Sequence, residues 1–157
     1  MIVCLTGTSP YSFDRMIKVV DEIAINHKVF IQIGNSKYIP VNCEFIDFEG
    51  KNRLQSRIKD ADLIISQGGY GSMMDAIQLQ KKVIAVPREE KYRELIGDQR
   101  ELVKYFESKH YVVGCYDISE IEVLIEKCLD NQFEFKKYSS ESEIKVKDVI
   151  EEYINNV

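Results

Sequence analysis

An open parallel α/β sheet, wound on both faces, is the fold this sequence predicts. Three observations carry it. Short, nearly unbroken apolar runs alternate with amphipathic segments along the 157 residues. The runs lack in–out alternation, as expected of strands covered on both faces. The segments between them place apolar residues at helical spacing, which supplies the crossover helices a parallel sheet needs. About six strands with helices on both faces result.

The elements follow in order. Ile2–Thr6 reads as a buried strand and Gly7–Ser12 as the loop after it. Phe13, Met16, Ile17, Val20, Ile23 and Ala24 mark a helix, with Ser12 as its N-cap. Val29–Ile33 is a second strand, ended by Gly34-Asn35-Ser36, and Cys43–Phe48 a third. A helix at Arg53–Lys59 leads to the fourth strand, Leu63–Ser66. Gly68-Gly69-Tyr70-Gly71 breaks the chain before a helix at Ser72–Gln80. Val83–Val86 is the fifth strand, closed by Pro87, and a charged loop precedes a helix at Asp98–Ser108. Tyr111–Cys115 is the sixth, followed by a helix marked by Ile121, Leu124, Ile125 and Cys128. Beyond residue 135 the polar stretch Lys136–Glu143 reads as a linker. Val146, Val149, Ile150, Tyr153, Ile154 and Val157 then form an amphipathic stripe. That stripe suits a helix that either packs on its own domain or docks a partner protein through its apolar face.

Composition narrows the function. A net charge of −5 argues against nucleic acid as the primary partner. No apolar run approaches the ~20 residues of a membrane span. The chain starts directly on a strand-like run, so no secretory signal is expected and the cytosol is the expected compartment. Cys4, Cys43, Cys115 and Cys128 form no C-x-x-C pair and read as small buried hydrophobes rather than metal ligands or bridges.

The strongest local signal is Ser66-Gln67-Gly68-Gly69-Tyr70-Gly71-Ser72-Met73-Met74-Asp75. A strand, a glycine turn and a helix start make a site for an anion, because a helix N-terminus offers unsatisfied N–H groups and partial positive charge. Ser72 adds a hydroxyl, and Asp75, one turn on, suits sugar hydroxyls. The same residues also suit a plain tight βα turn. The loop after the first strand lacks G-x-G-x-x-G, and neither G-x-x-x-x-G-K-[ST] nor G-x-S-x-G occurs. Dinucleotide enzymes, P-loop NTPases and α/β-hydrolases are thereby excluded.

Ser-Gln-Gly-Gly-Tyr-Gly-Ser-Met-Met-Asp-Ala-Ile, followed by Lys-Lys-Val-Ile-Ala-Val-Pro-Arg, resembles the C-terminal domain of glycosyltransferase family 28. The opening Val-Cys-Leu-Thr-Gly-Thr-Ser-Pro-Tyr-Ser-Phe-Asp resembles stand-alone donor-binding subunits of two-component bacterial polysaccharide glycosyltransferases. These are relatives of the soluble subunit of the dolichol-linked N-acetylglucosaminyltransferase. The resemblance implies a Rossmann-like sheet, the C-terminal half of a GT-B fold, with residues 1–135 as the nucleotide-sugar-binding domain. It implies a UDP-sugar donor, inverting transfer to a lipid-linked glycan acceptor, and capsule or exopolysaccharide synthesis.

Carried onto this sequence, the resemblance gives the diphosphate to Gly68, Gly69, Gly71 and Ser72, with Thr8 and Ser9 from the first loop. Asp75 takes the ribose. Phe45–Phe48 lines the uracil, and Phe48 suits either stacking on the base or a place in the core. Gln99 and Arg88 face the donor sugar and diphosphate, although the charged stretch around Arg88 also reads as a solvated loop. Relatives carry histidine where this chain has Leu95 and Asp98. Leaving-group stabilisation without a metal is the expectation, magnesium being compatible but not required. The general base is expected from a membrane-associated acceptor-binding partner, which would hold this chain at the inner face of the plasma membrane. A homo-oligomer is an outcome for the isolated chain. The alternative is a non-catalytic scaffold that stabilises a partner transferase after losing donor contacts.

Overall fold

The computed structural model describes residues 1–139, together with Asp148, Glu151 and Asn155. The apolar stripe expected at Val146–Val157 lies outside the described residues, those three positions apart. Six strands form one parallel sheet: β1 (Ile2–Leu5), β2 (Val29–Gln32), β3 (Glu44–Ile46), β4 (Leu63–Gln67), β5 (Val83–Val86) and β6 (Val113–Gly114). Their order is β3-β2-β1-β4-β5-β6. The chain reverses its direction of growth between β1 and β4, the position at which open α/β sheets bind ligands. The helices are α1 (Asp14–Ile23), α2 (Lys51–Asp60), α3 (Tyr70–Gln78), α4 (Arg100–Ser108) and α5 (Ile121–Leu129).

The continuous apolar runs are needed because each central strand packs on both faces. Cys4, Ile31, Ile65 and Ile84 turn to one side and meet Met16, Ile17 and Val20 of α1 and Ile121, Ile125 and Cys128 of α5. Val3, Leu5, Phe30, Ile64, Val83 and Ala85 turn to the other and meet Ile58 of α2, Met73 and Ile77 of α3, and Val103 and Phe106 of α4. Burial of these aliphatic and aromatic side chains, each worth about 1.5–3 kcal/mol, is the main force holding the sheet between its helices. Beyond α5 the chain returns to the sheet. Lys136 N–H donates to the His110 carbonyl at 2.8 Å, and Tyr138 and Gln80 exchange hydrogen bonds of 3.0 and 2.7 Å.

Helix α2 begins at Lys51 rather than Arg53 and α4 at Arg100 rather than Asp98, and the starts of α1 and α3 differ from the sequence expectation in ways that bear on the site. Phe13, not Ser12, occupies the N-cap of α1, and no side chain caps it. The Ser12 hydroxyl donates instead to the Asp14 carboxylate, which also accepts from Lys37 and Tyr38 N–H. The loop after β2 thus takes the residues that a local cap would have used. Helix α3 begins at Tyr70 rather than Ser72, with Gly69 as its N-cap. Gly71 and Ser72 therefore belong to the first helical turn.

The cysteines are free: Cys4, Cys115 and Cys128 are buried and Cys43 is half-buried. Burial pushes the Cys115 thiol up to about 12 and that of Cys128 to about 11, so both are protonated at neutral pH. Asp21 is a buried carboxylate with a structural task. Burial alone would raise its pKa, but Val41 and Asn42 N–H, the Tyr38 hydroxyl and the Cys43 thiol outweigh burial and hold it below 3.8. It fixes the long connection from β2 to β3.

Candidate functional site

A cleft of about 350 Å³ opens at the carboxyl ends of the strands, where the connections leaving the paired strands β1 and β4 run to opposite faces of the sheet. Its wall includes Gly7, Thr8 and Ser9 from the loop after β1 and Phe48 and Glu49 from the loop after β3. Gln67 ends β4, Gly71, Ser72 and Asp75 lie on α3, and Gln99 stands at the start of α4. A second cavity of about 450 Å³, lined by Ile46, Phe48, Glu49 and the first residues of α2, adjoins it through Phe48 and Glu49.

The floor is set by amides that end two buried strands. Gln32, 3% exposed at the end of β2, accepts from Thr6 and Gly7 N–H at 3.1 Å each through Oε1. Its Nε2 donates to the Gly7 and Asp47 carbonyls, also at 3.1 Å. One side chain thereby fixes the loops after β1 and β3. Gly7 has φ of 75°, and a Cβ there would lie 2.7 Å from Gln67 Nε2 and 3.2 Å from Ser72 Oγ. Only glycine accepts both the left-handed backbone and that approach. Gln67 accepts at Oε1 from Gln99 Nε2 (2.8 Å) and donates from Nε2 to Ser72 Oγ (3.2 Å).

The three glycines of the motif separate by role. None has positive φ; Gly7, Gly34 and Gly97 do. A Cβ on Gly68 would stand 2.6 Å from Val103 Cγ2 and 3.1 Å from the Pro87 Cα, so this position closes α4 onto the sheet. A Cβ on Gly69 would collide with the Gln67 amide. Neither Gly68 nor Gly69 lines the cleft. Gly71 does, and nothing lies within 4 Å of the Cβ it lacks. No side chain caps α3, so the first-turn N–H groups of Tyr70, Gly71 and Ser72 point their partial positive charge at the cleft.

Asp75 supplies the opposite polarity. Burial raises its carboxyl above 3.8, with Lys51 partly offsetting the effect. Its carboxylate has no hydrogen bond or ion pair among the described residues. Glu49, the other acid on the wall, is held by Arg57 Nε at 2.6 Å, and Arg57 lies 3.8 Å over the Phe30 ring.

The structure brings Thr8, Ser9, Gly71, Ser72, Asp75, Phe48 and Gln99 together at the cleft. Phe48 is 47% exposed between the two cavities, not in the core. Two expected residues stand elsewhere. Phe45 pairs in register with Ile31, whose side chain faces α1, and it lines neither cavity. Strand parity turns it away. Arg88 is 1% exposed and is not on the wall. Its Nη1 donates to the Tyr11, Ser12 and Glu94 carbonyls and its Nη2 to the Thr6 carbonyl at 2.8 Å. Burial pulls its pKa down to about 10, which leaves the guanidinium charged at neutral pH. It ties the loops after β1 and β5 together rather than meeting a ligand. Gln99 reaches the wall, but Arg88 N–H and Gln67 occupy its amide. The sequence reading missed Gln32, Gln67 and Glu49. A polar residue closing an otherwise apolar strand, as in Val-Phe-Ile-Gln and Leu-Ile-Ile-Ser-Gln, was the available signal for the two glutamines.

The chain is similar to known proteins. The chain is 32% identical over 123 residues to the UDP-N-acetylglucosamine transferase subunit ALG13 of Kluyveromyces lactis, covering 71% of this chain and 62% of that protein. It is 33% identical over 105 residues to a UDP-N-acetylglucosamine–N-acetylmuramyl-(pentapeptide) pyrophosphoryl-undecaprenol N-acetylglucosamine transferase of Streptococcus uberis, covering 61% of this chain and 28% of that one. The chain thus spans less than two thirds of either relative. The Acinetobacter baumannii MurG structure superposes with a TM-score of 0.53 at 14% identity, over 82% of this chain and 41% of that one. The glycosyltransferase SnogD of Streptomyces nogalater gives 0.52 at 14% identity, over 83% and 35%. At such identity the two structures establish the shared fold, that of one half of a GT-B glycosyltransferase. The family model described as glycosyltransferase family 28 C-terminal domain matches residues 2–153, and the chain belongs to that family.

Proposed function

We propose that this chain is the donor-binding subunit of a two-component inverting glycosyltransferase, taking a UDP-sugar and passing its sugar to a lipid-linked acceptor in cell-surface polysaccharide synthesis. One observation carries the reading: hydrogen-bond donors and an unpaired carboxylate share one cleft, a helical turn apart. The α3 N-terminus and Ser72 suit a diphosphate, Asp75 suits a ribose diol, and Phe48 stands where a base would stack. Both relatives are named for N-acetylglucosamine transfer, so UDP-N-acetylglucosamine is the first donor to try.

The chemistry follows from where charge develops. As the bond between the anomeric carbon and the diphosphate oxygen breaks, the electron pair leaves with UDP. N–H groups already aimed at that oxygen stabilise it without reorganising. The acceptor hydroxyl attacks the opposite face and gives its proton to a base. Glu49 is engaged by Arg57 and Asp75 is assigned to the ribose, so a membrane-associated partner supplies that base. Departure of UDP without a metal belongs to this proposal.

Calorimetric titration with UDP, ADP, GDP and uridine, with and without magnesium, tests the reading. Selective UDP binding independent of magnesium is expected; equal binding of all nucleotides, or of none, refutes it. A second reading, a scaffold that stabilises a partner transferase, is favoured by one feature. The Gln99 amide is already occupied within the protein, by Arg88 N–H and by Gln67. Under that reading, a complex with the partner would transfer sugar equally well when Asp75 is replaced.

A further inference from the structure

The three amide-linked contacts beneath the cleft have a direction. The Arg88 backbone N–H can only donate, and it meets Gln99 Oε1 at 3.0 Å. Gln99 must therefore turn its Nε2 to Gln67, whose Oε1 accepts it at 2.8 Å. Gln67 in turn presents Nε2 to Ser72 Oγ at 3.2 Å. Ser72 Oγ is left accepting, and its own proton has no acceptor among the described residues. Neither amide can flip without setting two acceptors or two donors against each other. Gln99 is anchored a second time, because its own backbone N–H donates to the Arg88 carbonyl at 3.0 Å.

We infer that Gln99 and Gln67 are positioning residues that transmit the polarity of the Arg88 N–H to Ser72, fixing its hydroxyl as a donor into the cleft. This corner of the site then selects an acceptor-only group, a phosphate oxygen, over a hydroxyl or amide that would itself need to donate. The inference deepens the proposed donor site and rests on it. It adds a device that reads the phosphate separately from the nucleoside, and it places two residues that need not touch the phosphate in control of its recognition. Beside it, the open N–H groups of the α3 start have the same sense, so the whole corner is donor-only, and Asp75 one turn on is acceptor-only.

The test is a reversal of the relay. In Gln99→Glu, one carboxylate oxygen still accepts from Arg88 N–H, but the other forces Gln67 to turn its Nε2 toward it. Gln67 Oε1 then faces Ser72 and draws the hydroxyl proton inward. UDP affinity is expected to fall about ten-fold, as it does in Ser72→Ala, because either change removes one hydrogen bond to a charged oxygen. Uridine affinity, measured in parallel, stays within two-fold. The double variant Gln99→Glu/Ser72→Ala is expected to bind UDP no more weakly than Ser72→Ala alone, since the relay acts only through that hydroxyl. If the two losses multiply, the added carboxylate repels UDP by charge and the relay is overturned. Equal loss of UDP and uridine also overturns it, because it reports general damage to the cleft. Gln67→Glu gives the same cycle by a second route, accepting from Gln99 and from Ser72 directly, should Gln99→Glu not fold. Absence of UDP binding by the unmodified protein would refute the donor-site reading itself, an outcome separate from any pattern among the variants.

Discussion

Replacing Gly69 and Gly71 one at a time by alanine separates the structural from the ligand-facing part of the glycine motif. Gly69 has φ −81° and ψ 145°, a conformation alanine adopts freely. Any cost therefore comes from the new methyl, which would overlap the Gln67 amide, with its Cδ and Oε1 at 3.0 Å. Gln67 must swing away and give up its bonds to Ser72 and Gln99. At about 1 kcal/mol net per bond the loss is about 2 kcal/mol, or ~4–8 °C in Tm for a domain of this size. Gly71→Ala meets no atom within 4 Å and sits in a helix, so stability should rise by up to ~1 kcal/mol. Its methyl nevertheless enters the cleft wall, and UDP affinity should fall. Thermal unfolding followed by circular dichroism measures both. The decisive control is Gly69→Ala in a Gln67→Ala background, where the methyl has nothing to displace and should cost less than ~0.5 kcal/mol. An undiminished cost there, or no cost in the wild-type background, would show that the Gln67 amide does not set the requirement for glycine.

Three further outcomes are expected. Asp75→Asn should raise Tm, because it removes a carboxylate whose charge is penalised by burial, while UDP affinity falls by about 1–3 kcal/mol. Since that carboxyl titrates above 3.8, wild-type affinity for UDP should decline toward acid pH and that of the Asn variant should not, as calorimetry across pH would show. Arg88→Lys keeps the charge but cannot reach four carbonyls at once; a melting temperature near that of Arg88→Ala is expected, and wild-type stability would show that charge alone suffices. Asp21→Asn should destabilise the fold at neutral pH. The Asp21 carboxyl is held below 3.8, so its contribution is complete above that value and lost as pH falls through the lower folded-state pKa. Urea melts of the two proteins should converge only in that acid range.

The sheet was legible because each central strand is buried on both sides and so spells an apolar run. The edge strand β3 was legible mainly at Ile46, and its parity was not: Phe45 looked like a cleft residue until register with Ile31 turned it away. Local signals failed where tertiary partners compete for the same groups. Ser12 reads as a cap, but Asp14 and the loop after β2 claim its neighbourhood. Tyr70-Gly71 reads as turn, yet the chain bends at Gly68, Gly69 serves as N-cap and the helix starts at once. Arg88 after Pro87 reads as a surface charge, because nothing local shows that four backbone carbonyls from distant loops converge on it. The common face of Ser72 and Asp75 was legible because one helical turn fixes their separation wherever the helix lies.

Arg88 holds its loops through main-chain oxygens, and those oxygens are the same whatever side chain the residue carries. Thr6, Tyr11, Ser12 and Glu94 each lend a carbonyl to it. The identity of Tyr11 is thus free to drift without loosening the rim of the cleft. An anchor of this kind separates the path of a loop from most of its side chains: Gly7 apart, the turn can change its outward chemistry while its course in space stays put.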